Sequence, residues 1–174
     1  MLPELVFETP RLRCRRWIAS DLDAIYAVYS DPVGMRFVGD GSPITLEACR
    51  EWLEVTARNY KLHGYGMFAL EERATRLPVG FCGLVHPGGQ PEPEVKYALL
   101  QVAWGKGYAT EAISHLLSYG FQAHGLARII ATVAPGNVAS QGVLAKAGAQ
   151  RLGSRRNADG SITLLYEWLA TTVA

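Results

Sequence analysis

The stretch Trp104-Gly-Lys-Gly-Tyr-Ala-Thr-Glu-Ala-Ile-Ser-His-Leu-Leu117 places two glycines and two small residues at the entrance to a predicted helix. The helix is indicated by apolar residues at offsets of three and four, which form one continuous face: Ala109, Ala112, Ile113, Leu116, Leu117, Gly120 and Phe121. Glycine loses more backbone freedom on folding than any other residue. A bare, flexible backbone at this entrance therefore needs an explanation.

The residues on either side of this helix predict a strand-loop-helix-strand unit, with strands at Glu94–Leu100 and Arg128–Ala134. The N–H groups of a helix's first turn have no partner within the helix, and they lie at the positive end of its dipole. Glycines leave these groups uncovered, which favours binding of a phosphate or pyrophosphate. A tight strand-to-helix turn without a ligand explains the same glycines, and the local sequence leaves both interpretations open.

Two common phosphate-binding motifs do not fit this loop. A nucleotide P-loop has Gly-x4-Gly-Lys followed by Ser or Thr, whereas here Lys106 lies between the glycines and Tyr108 follows the second one. A dinucleotide fingerprint ends in Gly or Ala, whereas Thr110 occupies that position. Too few strand-helix units follow for a Rossmann sheet.

The rest of the chain alternates predicted helices and strands without an internal repeat or a long linker. Helices are predicted from Ser20, as N-cap, to about Ser30, from the Thr45 cap over Leu46–Leu62, and at Asn137–Ala147. Extended segments are predicted at Glu4–Glu8 and Arg11–Trp17 (one segment broken at Thr9-Pro10), Gly66–Glu72, Pro78–Val85, Arg151–Ser154 and Ser161–Trp168.

Composition narrows the class of protein. The 174 residues, 49% of them hydrophobic, suit one folded domain spanning residues 1–174, and a net charge of +1 provides no field for nucleic acid or an anionic membrane. No apolar run approaches the ~20 residues of a membrane span, and the start of the chain does not read as a secretory signal. Cys14, Cys49 and Cys82 show neither zinc nor disulfide spacing, which predicts a cytoplasmic protein without a metal.

Trp104-Gly-Lys-Gly-Tyr-Ala resembles the coenzyme A pyrophosphate loop of the GNAT acetyltransferases, whose pattern is Arg/Gln-x-x-Gly-x-Gly/Ala. Gly107 and Ala109 match, and Trp104 stands where the family usually has Arg or Gln. A tryptophan at this position, followed by Gly-Lys-Gly-Tyr-Ala-Thr-Glu-Ala, resembles the motif of the branch of Rim-type ribosomal-protein N-terminal acetyltransferases. Further stretches resemble that branch in order: Thr9-Pro-Arg-Leu-Arg-Cys-Arg-Arg-Trp17, Val133-Ala-Pro-Gly-Asn-Val-Ala-Ser140 and Lys146-Ala-Gly148.

The resemblance implies an α/β (α+β) fold with a mixed, mostly antiparallel sheet of six to seven strands, about four helices and a splayed central parallel pair. It implies acetyl-CoA as cosubstrate, an amine as acceptor and no metal. The protein is expected to be a monomer or a homodimer. The Leu99 backbone is expected to pair with the pantetheine arm. The pyrophosphate is expected at the loop residues Trp104, Gly105, Lys106, Gly107, Tyr108, Ala109 and Thr110. Lys106 is equally explained as a solvated lysine.

The reaction implied is attack of an amine on a thioester, which needs a free amine, a polarised carbonyl and a proton for the leaving thiolate. The Tyr97 N–H is expected to polarise the carbonyl. Many relatives carry an acidic tyrosine seven residues after the motif asparagine, but here that position is Leu144. The remaining proton source is Ser140 or water.

Three candidate residues have both a functional and a structural interpretation. The resemblance places Asn137 against the cofactor arm and Ser140 near the sulfur, although an N-cap and a first-turn serine explain both. Glu94, beside the thioester, is the candidate base, or else a solvated strand end. His86 is a weaker candidate, and His115 and His124 are interpreted as structural or exposed.

An α-amine acceptor fits a site without an obvious strong base. Its reference pKa near ~8 leaves roughly a tenth as free amine at pH 7, a cost of ~1 kcal/mol, against ~4.6 kcal/mol for a lysine. The alternatives are a small-molecule amine, such as an antibiotic or polyamine, and a non-catalytic acyl-CoA sensor. The glycine-bearing loops at Val33–Ile44 and Arg155–Ser161 are expected to line the acceptor's entrance.

Overall fold

A computed structural model of the chain describes residues 3–171. Eight strands form one sheet in the order β1-β2-β3-β4-β5-β6-β8-β7, and every neighbouring pair is antiparallel except β5 and β6. The strands are β1 Leu5–Glu8, β2 Leu12–Arg16, β3 Met67–Glu72, β4 Pro78–Val85, β5 Glu94–Leu99, β6 Arg128–Val133, β7 Gln150–Arg156 and β8 Ile162–Leu169. The helices are α1 Leu22–Tyr29, α2 Leu46–His63, α3 Tyr108–His124 and α4 Val138–Lys146.

The predicted fold class is confirmed, and the strand-loop-helix-strand unit is found as β5, α3 and β6. The sheet has eight strands rather than six to seven, because the opening segment folds back at Thr9-Pro10 and forms a hairpin. The Thr9 N–H donates to the Leu12 carbonyl at 2.9 Å, and the Leu12 N–H donates to the Thr9 hydroxyl at 2.9 Å. This turn separates β1 from β2.

The parallel strands β5 and β6 diverge, as expected for a splayed pair. They are paired only at Glu94 and Ile130, near the start of β5. On the other edge of β5, the Leu100 N–H donates to the Val79 carbonyl at 2.9 Å. Because backbone groups alternate between the two edges of a strand, Tyr97 and Leu99 direct theirs toward the gap beside β6.

Helices cover both faces of the sheet. On one face α3 packs Leu116 and Leu117 against the sheet, in a core cluster that also contains Leu144 of α4. Gly120 allows this close approach, since a Cβ there would lie 2.9 Å from a methyl group of Leu84. On the other face α1 and α2 contribute Ile25 and Cys49 to a second cluster.

One predicted helix start is wrong. Ser20 does not cap α1, because it lies inside a 3-10 turn at Ala19–Asp21 that precedes the helix. The Asp21 carboxylate accepts from the Ile18 N–H and from the buried Arg15 guanidinium, which orders this turn. The Thr45 cap of α2 is confirmed, with its hydroxyl accepting from the Ala48 N–H.

Among residues 3–171, no helix has the length and apolar character needed to cross a membrane. The prediction that the first residues do not form a secretory signal involves Met1 and Leu2. These two residues lie outside the described residues.

Candidate active site

The loop between β5 and α3 requires its two glycines for backbone reasons. Gly105 has φ +71° and Gly107, which caps α3, has φ +78°, both in the left-handed region. A Cβ on Gly105 would meet open space, and one on Gly107 would lie 3.4 Å from the Arg11 guanidinium. The first bond of α3 runs from the Glu111 N–H to the Gly107 carbonyl, so the N–H groups before it remain for a ligand.

Arg11 holds this loop against the start of the chain. Its guanidinium donates to the Lys106 carbonyl and to the Glu111 carboxylate, each at 2.7 Å, and its carbon lies 4.8 Å from the Tyr108 ring centroid. Burial acts to raise the pKa of Glu111, but hydrogen bonds from Thr9 and Arg11 and the Arg11 charge outweigh it, so that the pKa is lowered. Sequence reasoning missed this anchor, although Thr9-Pro-Arg11 was part of the resemblance.

A first cavity of about 630 Å³ lies along this loop, the end of β5 and the start of α4. All but one of the residues predicted to bind the cofactor line it: Leu99, Trp104, Gly105, Gly107, Tyr108, Ala109, Thr110, Asn137 and Ser140. The exception is Lys106, whose ammonium lies 5.8 Å from the Tyr108 ring centroid. The Trp104 indole N–H donates to the Leu99 carbonyl at 2.9 Å, which fixes the entrance of the cleft.

A second cavity of about 560 Å³ adjoins the first one. Its walls come from α1, α2, the segment at Val33–Ile44 and the middle strands of the sheet. Five residues line both cavities: Phe37, Val38, Tyr97, Asn137 and Ser140. The two cavities therefore meet where β5 and β6 diverge.

A pair of hydroxyl groups marks this junction. The Tyr97 hydroxyl lies 2.6 Å from the Ser140 hydroxyl, so a hydrogen bond joins β5 to the first turn of α4. Burial raises the pKa of Tyr97, against a smaller lowering effect of the Ser140 hydrogen bond. The phenol therefore stays protonated at neutral pH. Sequence reasoning used only the Tyr97 backbone and missed its side chain, because nothing local indicates a contact across 43 residues.

Asn137 acts as the predicted N-cap, with its side-chain oxygen accepting from the Ser140 N–H at 3.1 Å. This contact fixes the first turn of α4 and holds Ser140 facing the junction. Leu144, which takes the place of the expected tyrosine, is buried and lines the second cavity one turn further along α4. The structural interpretation of Asn137 is thus confirmed, and its predicted contact with a cofactor stays a prediction.

Glu94 does not line either cavity. Its buried carboxylate accepts from the Lys96 ammonium, the Thr132 hydroxyl and, at 3.3 Å, the Gln90 amide. Lys96 and Thr132 do line the second cavity. The predicted base therefore reaches the cavity only through these two side chains or through water.

The two loops expected at the acceptor's entrance differ. Val33–Ile44 lines both cavities, whereas no residue of Arg155–Ser161 lines either one in the part of the chain that the structure describes. His86, the weaker base candidate, is bonded to the Tyr65 hydroxyl at 2.8 Å and also lies outside both cavities. Among the described residues, no group of three or more His, Cys, Asp or Glu side chains is placed to hold a metal ion.

The family model described as "Acetyltransferase (GNAT) domain" matches residues 11–150. The chain belongs to the GNAT acetyltransferase family. A curated relative, the uncharacterized N-acetyltransferase YoaA of Bacillus subtilis (strain 168), is 33% identical over 153 residues, covering 87% of this chain and 86% of YoaA. This GNAT chain is accordingly an acetyltransferase.

Solved structures agree with the fold. A GNAT-family acetyltransferase from Bacillus anthracis superposes with a TM-score of 0.79 and 27% identity, covering 93% of this chain and 96% of that one. The ribosomal-protein α-N-acetyltransferase RimL, solved in complex with coenzyme A, gives a TM-score of 0.81 over 95% of this chain and 98% of its own. Its identity is 15%, so this second similarity concerns the fold alone.

Proposed function

We propose that this GNAT acetyltransferase binds acetyl-CoA in the first cavity and transfers its acetyl group to a primary amine in the second. The observation that carries the proposal is the meeting of the two cavities at Tyr97 and Ser140. A linear cosubstrate lying along the first cavity brings its thioester to that point. An amine in the second cavity approaches the same carbonyl from the other side.

The residues of the first cavity suit the parts of acetyl-CoA. The left-handed glycines and the free N–H groups at the start of α3 supply an anion site for the pyrophosphate. The backbone of Tyr97 and Leu99 faces the gap beside β6, where an arm with two amides can pair with it as an added strand does. RimL, which shares the fold, was solved in complex with coenzyme A, and this supports coenzyme A as the class of ligand.

Transfer forms one bond and breaks one. The amine nitrogen attacks the thioester carbonyl carbon, the carbon–sulfur bond breaks, and the nitrogen loses one proton while the sulfur gains one. We infer that Ser140 donates to the leaving sulfur and is reprotonated by the Tyr97 phenol 2.6 Å away, while the proton lost by the nitrogen passes to solvent water and solvent water returns one to Tyr97. In this scheme the phenol comes from β5 and serves in place of the tyrosine that Leu144 replaces on α4.

The finer proposal is that the acceptor is the α-amine of a protein or peptide. The buried, ion-paired state of Glu94 supports it, since no buried carboxylate among the described residues lines the second cavity and a low-pKa acceptor needs the least help. The resemblance to the Rim-type branch points the same way. Where a proton must be removed, Glu94 is reached through the Thr132 hydroxyl.

The test combines binding with turnover. Calorimetry measures the affinity of coenzyme A for the first cavity. A thiol reagent measures the release of coenzyme A when acetyl-CoA is mixed with amines. A peptide with a free N-terminus and no lysine is compared with its N-blocked analogue carrying one lysine. Faster release with the free N-terminus is expected. Binding without release for any amine would indicate a sensor instead, and absence of binding would contradict the whole assignment.

A further inference from the structure

The second cavity, which the proposed function assigns to the acceptor, is walled mainly by apolar side chains. Three aromatic rings pack together on one side: the Tyr29 ring centroid lies 4.9 Å from that of Phe81 and 5.5 Å from that of Trp52. Ile44 and Leu144 add aliphatic surface to the same walls. Such walls favour an apolar ligand, because its surface leaves water on binding.

The charges in this cavity are few and are already paired or placed at the edge. Among the described residues that line it, Asp40 and Lys96 are the charged ones. The Lys96 ammonium is bonded to the buried Glu94 carboxylate and to Thr132, which offsets its charge. Asp40 is exposed, and its carboxylate accepts from the Ser42 N–H at 2.9 Å.

A cationic body therefore finds no buried carboxylate free to pair with it in these walls. Burying an unpaired charge costs far more than burying a methylene group recovers. The same walls disfavour the ammonium form of the reacting amine and so lower its pKa, which raises the fraction of free nucleophile. An apolar site thus increases the fraction of deprotonated amine, which reduces the need for a general base.

We propose that the acceptor is a primary amine carried on an uncharged, apolar body about the size of an aromatic or long aliphatic side chain. The inference rests on the proposed function and adds the class of substrate to it. Two sources share this chemistry, namely a small apolar amine and a peptide whose first residue is apolar. Polyamines and aminoglycosides, with several ammonium groups, are disfavoured.

The first experiment compares matched amines on the unaltered protein by the release of coenzyme A. Butylamine and putrescine differ only in a second ammonium, and Phe-Gly-amide and Lys-Gly-amide differ only in the first side chain. We expect kcat/KM to be at least about tenfold higher for the uncharged member of each pair. Equal or higher values for putrescine and Lys-Gly-amide would overturn the proposal.

Phenethylamine, compared with Phe-Gly-amide, distinguishes a small apolar amine from a peptide with an apolar first residue. With each kcat/KM divided by the fraction of free amine at the assay pH, a higher value for Phe-Gly-amide than for phenethylamine indicates a peptide N-terminus, and the reverse indicates a small molecule. Either result supports an apolar body, provided that the charged analogues are slower. If none of the amines causes release of coenzyme A, both this inference and the proposed function are overturned. If the charged analogues cause release as fast as the uncharged ones, only this inference is overturned.

A pair of variants places a charge in the wall. Ile44→Asp adds a carboxylate there, and Ile44→Asn is a control of the same size without charge. We expect the putrescine-to-butylamine ratio of kcat/KM to rise at least about fivefold in the Asp variant relative to the Asn variant, with coenzyme A affinity unchanged in both. Identical ratios in the two folded variants would show that the body does not lie against this wall.

Discussion

The two cavities differ in how their walls are encoded. The largest contribution to the first cavity comes from one short stretch, Leu99–Thr110, and the segment at Val33–Val38 and helix α4 complete its walls. The second is assembled from α1, α2, four strands and the segment at Val33–Ile44, which are far apart along the chain. A phosphate site imposes backbone conformations that only glycine adopts readily, so it leaves a local mark. A cavity wall uses ordinary apolar residues, which look like core in any sequence.

The junction between the cavities is the place where substitutions should have the largest effect. Ser140→Ala and Tyr97→Phe each remove one hydroxyl of the 2.6 Å pair. A proton donor is worth about 10²–10⁴-fold in rate, so we expect kcat to fall by at least ~10² in each variant. Steady-state kinetics with saturating acetyl-CoA measures this.

Comparing the single variants with the double variant tests whether the two hydroxyls act as one unit. If Ser140 and Tyr97 form a relay, Ser140→Ala with Tyr97→Phe should be scarcely slower than either change alone. Coenzyme A affinity and melting temperature should stay close to those of the unaltered protein. A fall of only two- to threefold in kcat would mean that water protonates the thiolate.

Gly107→Glu should abolish function in the first cavity while the second remains intact. The left-handed φ strains any side chain, and a carboxylate beside the loop repels the pyrophosphate. We expect the coenzyme A Kd to rise at least about 100-fold, or ~2.7 kcal/mol, by calorimetry. Gly88→Glu is the control, because Gly88 has φ +63° and an exposed position outside both cavities. A similar Kd in both variants would contradict the loop assignment.

The sequence predicted the fold and the first cavity closely, for a physical reason. Periodic apolar residues and a capping signal define α2 and the strands beside α3 to within a residue, the predicted apolar face lies within α3, and glycines mark the loop. Ser20 failed as a cap because its neighbour Asp21 pairs with Arg15 and accepts from the Ile18 N–H, which orders a 3-10 turn before the helix. Asp21 follows Ser20 directly, but the residues around it do not show that Arg15 at the end of β2 reaches its carboxylate.

The second cavity and the junction were less predictable. Val33–Ile44 was expected at the acceptor's entrance from its glycines alone, but the same reasoning selected Arg155–Ser161, which lines neither cavity among the described residues. The Tyr97 phenol was missed because its partner is on another element. Glu94 was selected as a base from its position at the start of a strand. Its burial and its ion pair with Lys96 depend on the tertiary fold, so the local sequence did not show them.

Asn137 lies at both cavities, and its substitution should give a moderate effect that separates two roles. Asn137→Asp keeps the N-cap of α4, so the melting temperature should change by only about 1–2 °C. If the side-chain amide also donates to the cofactor, we expect the acetyl-CoA KM to rise about five- to tenfold. Asn137→Ser is the control, as it caps without adding charge but also lacks the amide. An unchanged KM in both variants would leave capping as the function of Asn137.

The smallest effect is expected outside both cavities, where His63 stacks on His86 with ring centroids 4.5 Å apart. Burial and, to a lesser degree, the neighbouring His86 lower the pKa of His63 in the folded protein. The folded state therefore binds protons less readily than the unfolded chain, whose histidine pKa is near ~6.5. The neutral ring's contribution to stability is complete above that value and is lost as the pH falls through ~6.5 toward the lower folded pKa.

Replacing His63 by glutamine removes this titration and should flatten the pH dependence of melting. Between pH 8 and pH 5.5 we expect the unaltered protein to lose on the order of one degree more than His63→Gln, since the ring is partly solvated. Coenzyme A affinity should follow the same pH curve in both proteins, because His63 lines neither cavity. Parallel melting curves would show that the stacked rings carry no pH-dependent stability. A divergence in coenzyme A affinity alone would show instead that this end of the sheet is coupled to the first cavity.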